Sequence, residues 1–191
     1  MSEIIQLKIT LKRIKPPIWR RVLIPSSITF YHLHEIILAS MGWDGDHLYE
    51  FDFKGERIGV PTDDDNPWWG EDILDAKKIK IKSYIGNTKC KFEYTYDFGD
   101  NWEHLIKVEK FLPKDENVKY PICIDGERNC PPEDCGGIGG YYDLIEATND
   151  KNHPEHEEMI EWYGGVYDPE FFDKEEINNR LRRLATHLKI A

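Results

Sequence analysis

From Glu3 to Ile14 apolar and polar residues alternate. Ile5, Leu7, Ile9 and Leu11 face one way, and Gln6, Lys8, Thr10 and Lys12 the other. A period of two marks a half-buried strand. Lys15-Pro16-Pro17 interrupts it, and residues 18–24 resume as a second strand beside the first. The period then lengthens. Phe30, Leu33, Ile37 and Met41 recur at helical spacing, which predicts a helix over 29–41. Residues 47–53 alternate again, with His47, Tyr49, Phe51 and Phe53 on one face. Residues 89–97 do the same with Cys90, Phe92, Tyr94 and Tyr96. Phe98-Gly99-Asp100 turns the chain, and residues 102–111 return as an antiparallel partner.

Beyond this hairpin the pattern changes. Residues 113–140 read as irregular and are rich in Pro, Gly and Cys. Three helices follow, over 141–148, 154–162 and 174–188. Pro154 suits a first helical turn. The last helix carries the stripe Ile177, Leu181, Leu184 and Leu188, with Asp173 and Glu176 as a capping box and Phe172 and Ile177 as a staple. Strands first and helices last predict an α+β protein. Its antiparallel sheet comes from strands within 3–111 with one early helix, and the C-terminal helices (about 141–188) pack on it. At 191 residues, with no internal repeat and no dividing linker, the expectation is one domain over 1–191.

Composition narrows the function. No apolar run approaches the ~20 residues of a membrane span. Met1–Thr10 lacks a secretory pattern, so the cytoplasm is expected. The formal charge of −11 argues against a generic nucleic-acid coat. It is unevenly spread. Residues 1–30 hold Lys8, Lys12, Arg13, Lys15, Arg20 and Arg21 against Glu3, a balance of +5 that leaves −16 for the remainder. Lys12, Arg13, Lys15, Arg20 and Arg21 are therefore candidate phosphate contacts, with a solvated hairpin surface as the alternative. The loop over 61–70 is acidic and then aromatic. Its Trp68-Trp69 pair reads as a binding surface or as a lid on the core.

Two segments carry candidate chemistry. Cys123, Cys130 and Cys135 are separated by six and four residues. That is not the paired Cys-x2-Cys spacing of a zinc ribbon. Three thiols on a loop could still bind Zn²⁺ with a fourth ligand, and His104, on the core face of its strand, is the candidate. Otherwise these cysteines are small apolar residues pinning a loop, and His104 is a buried imidazole hydrogen-bonded to a neighbour. Asp97, Asp100, Glu103, Glu133 and Asp134 flank both segments. If the hairpin turn and the cysteine loop meet, they form an acidic cleft able to hold Mg²⁺ or Mn²⁺. If not, the acids are turn formers. Arg128 is a candidate counter-charge for Glu133 or Asp134. His153 and His156, three apart at a helix start, are either a chelating pair or a helix surface. Asp97-Phe98-Gly99 is not a kinase metal turn, since no phosphate loop, strand lysine or His-Arg-Asp motif accompanies it. Gly136–Gly140 follows no strand and is not a dinucleotide fingerprint.

Several stretches together resemble the plasmid pRiA4b Orf-three-like family. They are Ile18-Trp19-Arg20-Arg21, Leu33-His34-Glu35, Met41-Gly42-Trp43 with His47-Leu48, and Tyr94 through His104. Further along they are Cys123 with Gly126, Cys130-Pro-Pro-Glu-Asp134 with Gly136-Gly137, Gly140-Tyr141, His153 through Glu157, Trp162, Gly164-Gly165 and Tyr167-Asp168-Pro169. The resemblance covers nearly the whole chain. It implies an α+β domain and delivers no activity, although some members are described as passengers of insertion sequences. In the family pattern Cys135 falls at a variable place, so the resemblance favours Cys123, Cys130 and His104 over a three-cysteine site.

Three functional classes follow. The first is a non-enzymatic module, such as an accessory of mobile elements, that binds a protein or small-molecule ligand in a cleft between the 97–104 hairpin and the 123–137 loop. The second is a metal-dependent hydrolase or nuclease, with Asp97, Asp100, Glu133 and Asp134 holding the ion and His104 moving protons. The third is nucleic-acid binding through the basic N-terminal strands.

Overall fold

The structure, a computed structural model, describes residues 3–61, 73–86, 88 and 90–190. The Trp68-Trp69 pair lies outside the described residues. The chain runs β1 (Glu3–Leu11), β2 (Trp19–Pro25), α1 (Phe30–Met41), β3 (Tyr49–Phe53), β4 (Glu56–Gly59), β5 (Ile73–Asp75), β6 (Lys91–Tyr96), β7 (Trp102–Pro113), β8 (Ile122–Glu127), α2 (Gly137–Asn149), α3 (His156–Tyr163) and α4 (Lys174–Leu188). One eight-stranded sheet has the order β5-β4-β3-β6-β7-β1-β2-β8. Every pairing is antiparallel except β4 with β5. The fold is α+β, as the sequence predicts.

Local rules account for the long elements. The alternation of β1 puts Ile5, Leu7, Ile9 and Leu11 in the core. Phe30, Leu33, Ile37 and Met41 are all buried beneath α1. Its N-cap Thr29 accepts from the His32 amide at 3.3 Å, and His32 Nδ1 accepts from the Thr29 amide at 3.3 Å. An imidazole thus takes the place of the usual Glu in a capping box. At α4, Asp173 accepts from the amides of Glu175 and Glu176. The β3–β4 hairpin turns on Lys54 and Gly55, both at positive φ, as a primed two-residue turn requires.

The short and irregular elements depart from the sequence pattern. Strand β1 ends at Leu11, not at Ile14. Strands β4 and β5 are only four and three residues long, too short to show a period. The stretch over 113–140 is not wholly irregular, because β8 lies inside it and extends the sheet at the β2 edge. Its alternation is broken by a register shift between Arg21 and Val22 on β2, and by Gly126. That glycine is needed for packing: a Cβ there would come within 2.6 Å of the Phe172 ring. Helix α2 begins at Gly137, four residues before the expected start, through glycines that propensity alone would not place in a helix. Pro154 precedes α3 rather than opening it. Edge strand β8 is tied down by Asn178 of α4, which accepts from the Cys123 amide at 2.8 Å and donates to its carbonyl at 2.9 Å.

Beneath α1 lies a layer of rings. His34 stacks on Tyr49 with centroids 3.5 Å apart, and its Nδ1 is 2.8 Å from the Tyr94 hydroxyl. Trp43 stacks on Tyr96 and Trp102 and meets His104 edge-on. This layer forms the floor of a polar corner.

Candidate functional site

The corner forms where three chain segments meet: the approach to β3, the β6–β7 turn and the loop leading into α2. The hairpin turn and the cysteine loop do meet. The Gly136 amide donates to Asp100 Oδ2 at 3.2 Å, and a Cβ on Gly137 would lie 2.7 Å from the Asp100 carbonyl oxygen. Gly137 has φ +68, so both conformation and space demand glycine. Asp97, Asn101 and Asp134 also have positive φ. Asp and Asn are the non-glycine residues that enter the left-handed region most readily, so the turn chemistry of the sequence itself shapes this corner.

His47 stands between two carboxylates. Its Nε2 is 3.2 Å from Asp134 Oδ1 and its Nδ1 is 3.7 Å from Asp97 Oδ1. Asp97 is 8% exposed, and its Oδ1 also accepts from the Gly99 amide at 2.9 Å. Beside them Glu133 accepts from the Asp44 amide at 2.7 Å, the Gly45 amide at 3.4 Å and the Tyr96 hydroxyl. Burial, and then the Glu133 carboxylate, push the Tyr96 phenol well above its ordinary range, so Tyr96 stays a donor. Trp43 roofs the ring, and its indole N–H donates to the Pro131 carbonyl at 2.8 Å. One ligand atom each from His47, Asp97 and Asp134 lies within 4.8 Å of the others. Among the described residues this is the one group of three or more His, Cys, Asp or Glu side chains that converges so.

Four sequence candidates, Asp97, Asp100, Glu133 and Asp134, are therefore brought together. Glu103 is not among them; it pairs with Lys12 and Arg13. His104 is not among them either. It is fully buried with both ring nitrogens unpartnered, and so are Trp102 Nε1 and the Tyr141 hydroxyl. The carbonyls of Tyr94 and Trp102 approach His104 without completing a hydrogen bond of ordinary geometry. Burial lowers its pKa to about 4, so it is a neutral ring at neutral pH. The partner expected for it is not found among the described residues.

The cysteines spread out. Cys123 Sγ donates to the Asp125 carbonyl at 3.3 Å. Cys130 Sγ accepts from Arg20 Nη2 at 3.0 Å and lies 3.1 Å from Met41 Sδ. Cys135 Sγ is 3.8 Å from the Gly137 carbonyl, and burial followed by the Asp100 charge pushes its pKa up to about 12. No three of Cys123, Cys130, Cys135 and His104 bring their ligand atoms within 4.8 Å of one another.

Other candidates are reassigned. Arg128 pairs with Glu170 at 2.7 Å and donates to the Pro16 carbonyl, away from Glu133 and Asp134. Arg20 is 3% exposed and unavailable to a phosphate. Its guanidinium donates to the carbonyls of Ser40, Trp19, Glu127 and Arg128. Lys12 pairs with Glu93, Arg13 with Glu103, and Arg21 with Glu109 and Asp125. Lys15 is exposed. His153 accepts from the Glu155 amide through Nδ1, whereas His156 Nδ1 donates to the Ala147 carbonyl, so each ring is held by a backbone partner of its own. His47 escaped the sequence reading because alternation placed it on the buried face of a strand. The strand begins only at Tyr49. The usable signal was Gly45-Asp46 just before it, a turn composition.

An α+β protein with one sheet, a ring-lined core and a polar corner of one imidazole and several carboxylates is the class that these features define. The chain belongs to the plasmid pRiA4b ORF-3-like protein family, whose model matches residues 3–176. It is 37% identical over 187 residues to "Uncharacterized protein y4hQ" of Sinorhizobium fredii, covering 97% of this chain and 94% of that one. It is also similar to a crystal structure of a "Protein of Unknown Function", MM3350, from Methanosarcina mazei Go1. That match has a TM-score of 0.83 and 38% identity, over 92% of this chain and 98% of the other. Among the described residues no helix is long and apolar enough to cross a membrane.

Proposed function

We propose that the chain is a binding module whose corner takes a divalent cation through His47, Asp97 and Asp134. The observation that carries this reading is the convergence of their ligand atoms within 4.8 Å. One imidazole and two carboxylates suit a borderline ion such as Zn²⁺ or Mn²⁺ better than a soft, thiol-seeking one. Three protein ligands leave coordination positions for water or for a ligand group of a partner. Asp97 is oriented by the Gly99 amide, and Glu133, next to Asp134, fastens the loop to the Tyr96 and Asp44 side of the cleft. The four unpaired cysteines support a working place in a reducing compartment, the cytoplasm.

Titration calorimetry of chelator-treated protein with ZnCl₂ and MnCl₂ tests this. About one site per chain is expected, lost in His47→Ala and Asp134→Asn and kept in Cys123→Ser and Cys130→Ser. Loss in the cysteine variants alone would move the site to the cysteine loop. No binding of either ion would end the proposal. Phosphoester cleavage is the second reading, favoured by the open coordination positions and by a further carboxylate, Asp100, held at the edge of the cleft by the Gly136 amide. Turnover of bis-p-nitrophenyl phosphate that depends on Mn²⁺ and on Asp97 would support it, and a silent assay with occupied metal would remove it.

A further inference from the structure

The face of the sheet turned away from α1 carries a line of cations. Lys91 of β6 faces Lys107 of β7, Lys107 faces Lys8 of β1, and Lys8 faces Arg21 of β2. Four successive strands thus present four positive charges in one row, roughly 14 Å long at the spacing of strands in a sheet. Lys110 sits three residues along β7, past the register shift, opposite Gln6. Like charges placed directly opposite one another are unfavourable in a sheet. Here they are only partly neutralised: among the described residues no carboxylate forms an ion pair with Lys8, Lys91, Lys107 or Lys110, although the Lys8 charge reaches Glu109, and Arg21 is held by Glu109 and Asp125. Trp19 organises one end of the row. The Lys8 ammonium is 4.1 Å and the Arg21 guanidinium 4.8 Å from its ring centre. A hollow of about 570 Å³ opens beside the row, walled in part by Gln6, Arg21, Lys107 and Lys110. All this lies on a chain of net charge −11.

We propose that this face binds the phosphate backbone of a single-stranded nucleic acid. The row is linear and one residue wide. Glu93 and Glu127 occupy the adjacent row, and Glu109 and Asp125 border the hollow and the β8 end. A single strand lies along the positive strip, while a duplex would lay its second backbone over these carboxylates. Trp19 is 8% exposed and offers no stacking platform, so recognition rests on phosphates and is indifferent to sequence. The surface differs from the N-terminal candidates. It keeps Arg21, adds Lys8, and recruits three lysines that strand pairing brings from about a hundred residues away.

The test is fluorescence anisotropy of a labelled oligothymidylate with the full chain across a salt series. Binding at low salt is expected, with a log–log slope near −2 to −3 for three or four neutralised phosphates. Lys107→Gln should flatten that slope by about 0.7. The combined Lys8→Glu, Lys91→Glu, Lys107→Glu variant should lose at least tenfold in affinity while keeping the wild-type circular dichroism. Lys78→Gln, on a mostly exposed side chain elsewhere, should change nothing. His47→Ala and added chelator should leave binding intact, which separates this surface from the metal corner. No binding at low salt overturns the proposal, as does undiminished binding by the single and combined variants. Preference for the matched duplex, or binding of inorganic polyphosphate without the oligonucleotide, overturns the assigned occupant.

Discussion

The corner at His47 and the ring layer beneath it share Tyr96 and Trp43, yet they treat polar groups in opposite ways. In the layer, His34 and His104 are held as neutral rings. Burial lowers the pKa of the first to about 3 and of the second to about 4, and no carboxylate contacts either ring. At the corner, carboxylates gather around a partly exposed imidazole, and backbone amides from two loops fasten two of them. A few ångströms of ring packing separate a region that expels charge from one that collects it. Stability therefore belongs mainly to the layer, and cation binding to the corner.

The strongest test of this division is truncation. Tyr94→Ala removes a fully buried ring that packs on Phe51, His34 and His104. It should cost about 3–5 kcal/mol by urea denaturation. Acid comes next. Both buried histidines have folded pKa values below the unfolded value near 6.5, so the unfolded chain takes up their protons first. Their contribution is complete above about pH 6.5 and is lost as pH falls towards 4, at about 2.7 kcal/mol per pH unit for the two rings. His104→Phe should remove about half of that slope. At pH 7 it should be neutral or stabilising, because it deletes two unsatisfied buried nitrogens. Gly137→Ala strains the corner itself and should cost about 1–3 kcal/mol. It should also weaken zinc binding in calorimetry, because Asp134 shares its loop. The smallest stability change is expected from Asp134→Ala, whose side chain is 74% exposed: within about 0.5 kcal/mol, yet with loss of the zinc-dependent rise in Tm.

What was legible in the sequence follows the same division. The core strands and α1 announce themselves because each buries one face for its whole length, so the period survives. β8 does not, because Gly126 and a register shift interrupt it. α2 opens on glycines that serve close approach, Gly137 to the Asp100 carbonyl and Gly140 to that of Cys135, and not helix formation. The carboxylates of the corner were readable as turn acids. Their shared partner was not, since His47 continues the apolar alternation of β3 in sequence while lying just outside the strand in space. His104 was read to the core face correctly, but no pattern of neighbours foretells that a buried imidazole lacks a hydrogen bond.

The position of β1 has a consequence for how the molecule comes together. It lies inside the sheet between β2, its immediate successor, and β7, about a hundred residues further on. The pair β1–β2 can form early, but an isolated hairpin is marginal in water. The outer edge of β1 stays without a hydrogen-bonding mate until the β6–β7 hairpin exists to pair with it. That late union joins the two halves of the sheet, and folding should wait on it. Refolding after dilution from urea should be slow for a chain of this size, as expected where distant pairings dominate. Weakening the seam, for example by Leu7→Ala, should slow refolding more than an equal weakening of α4.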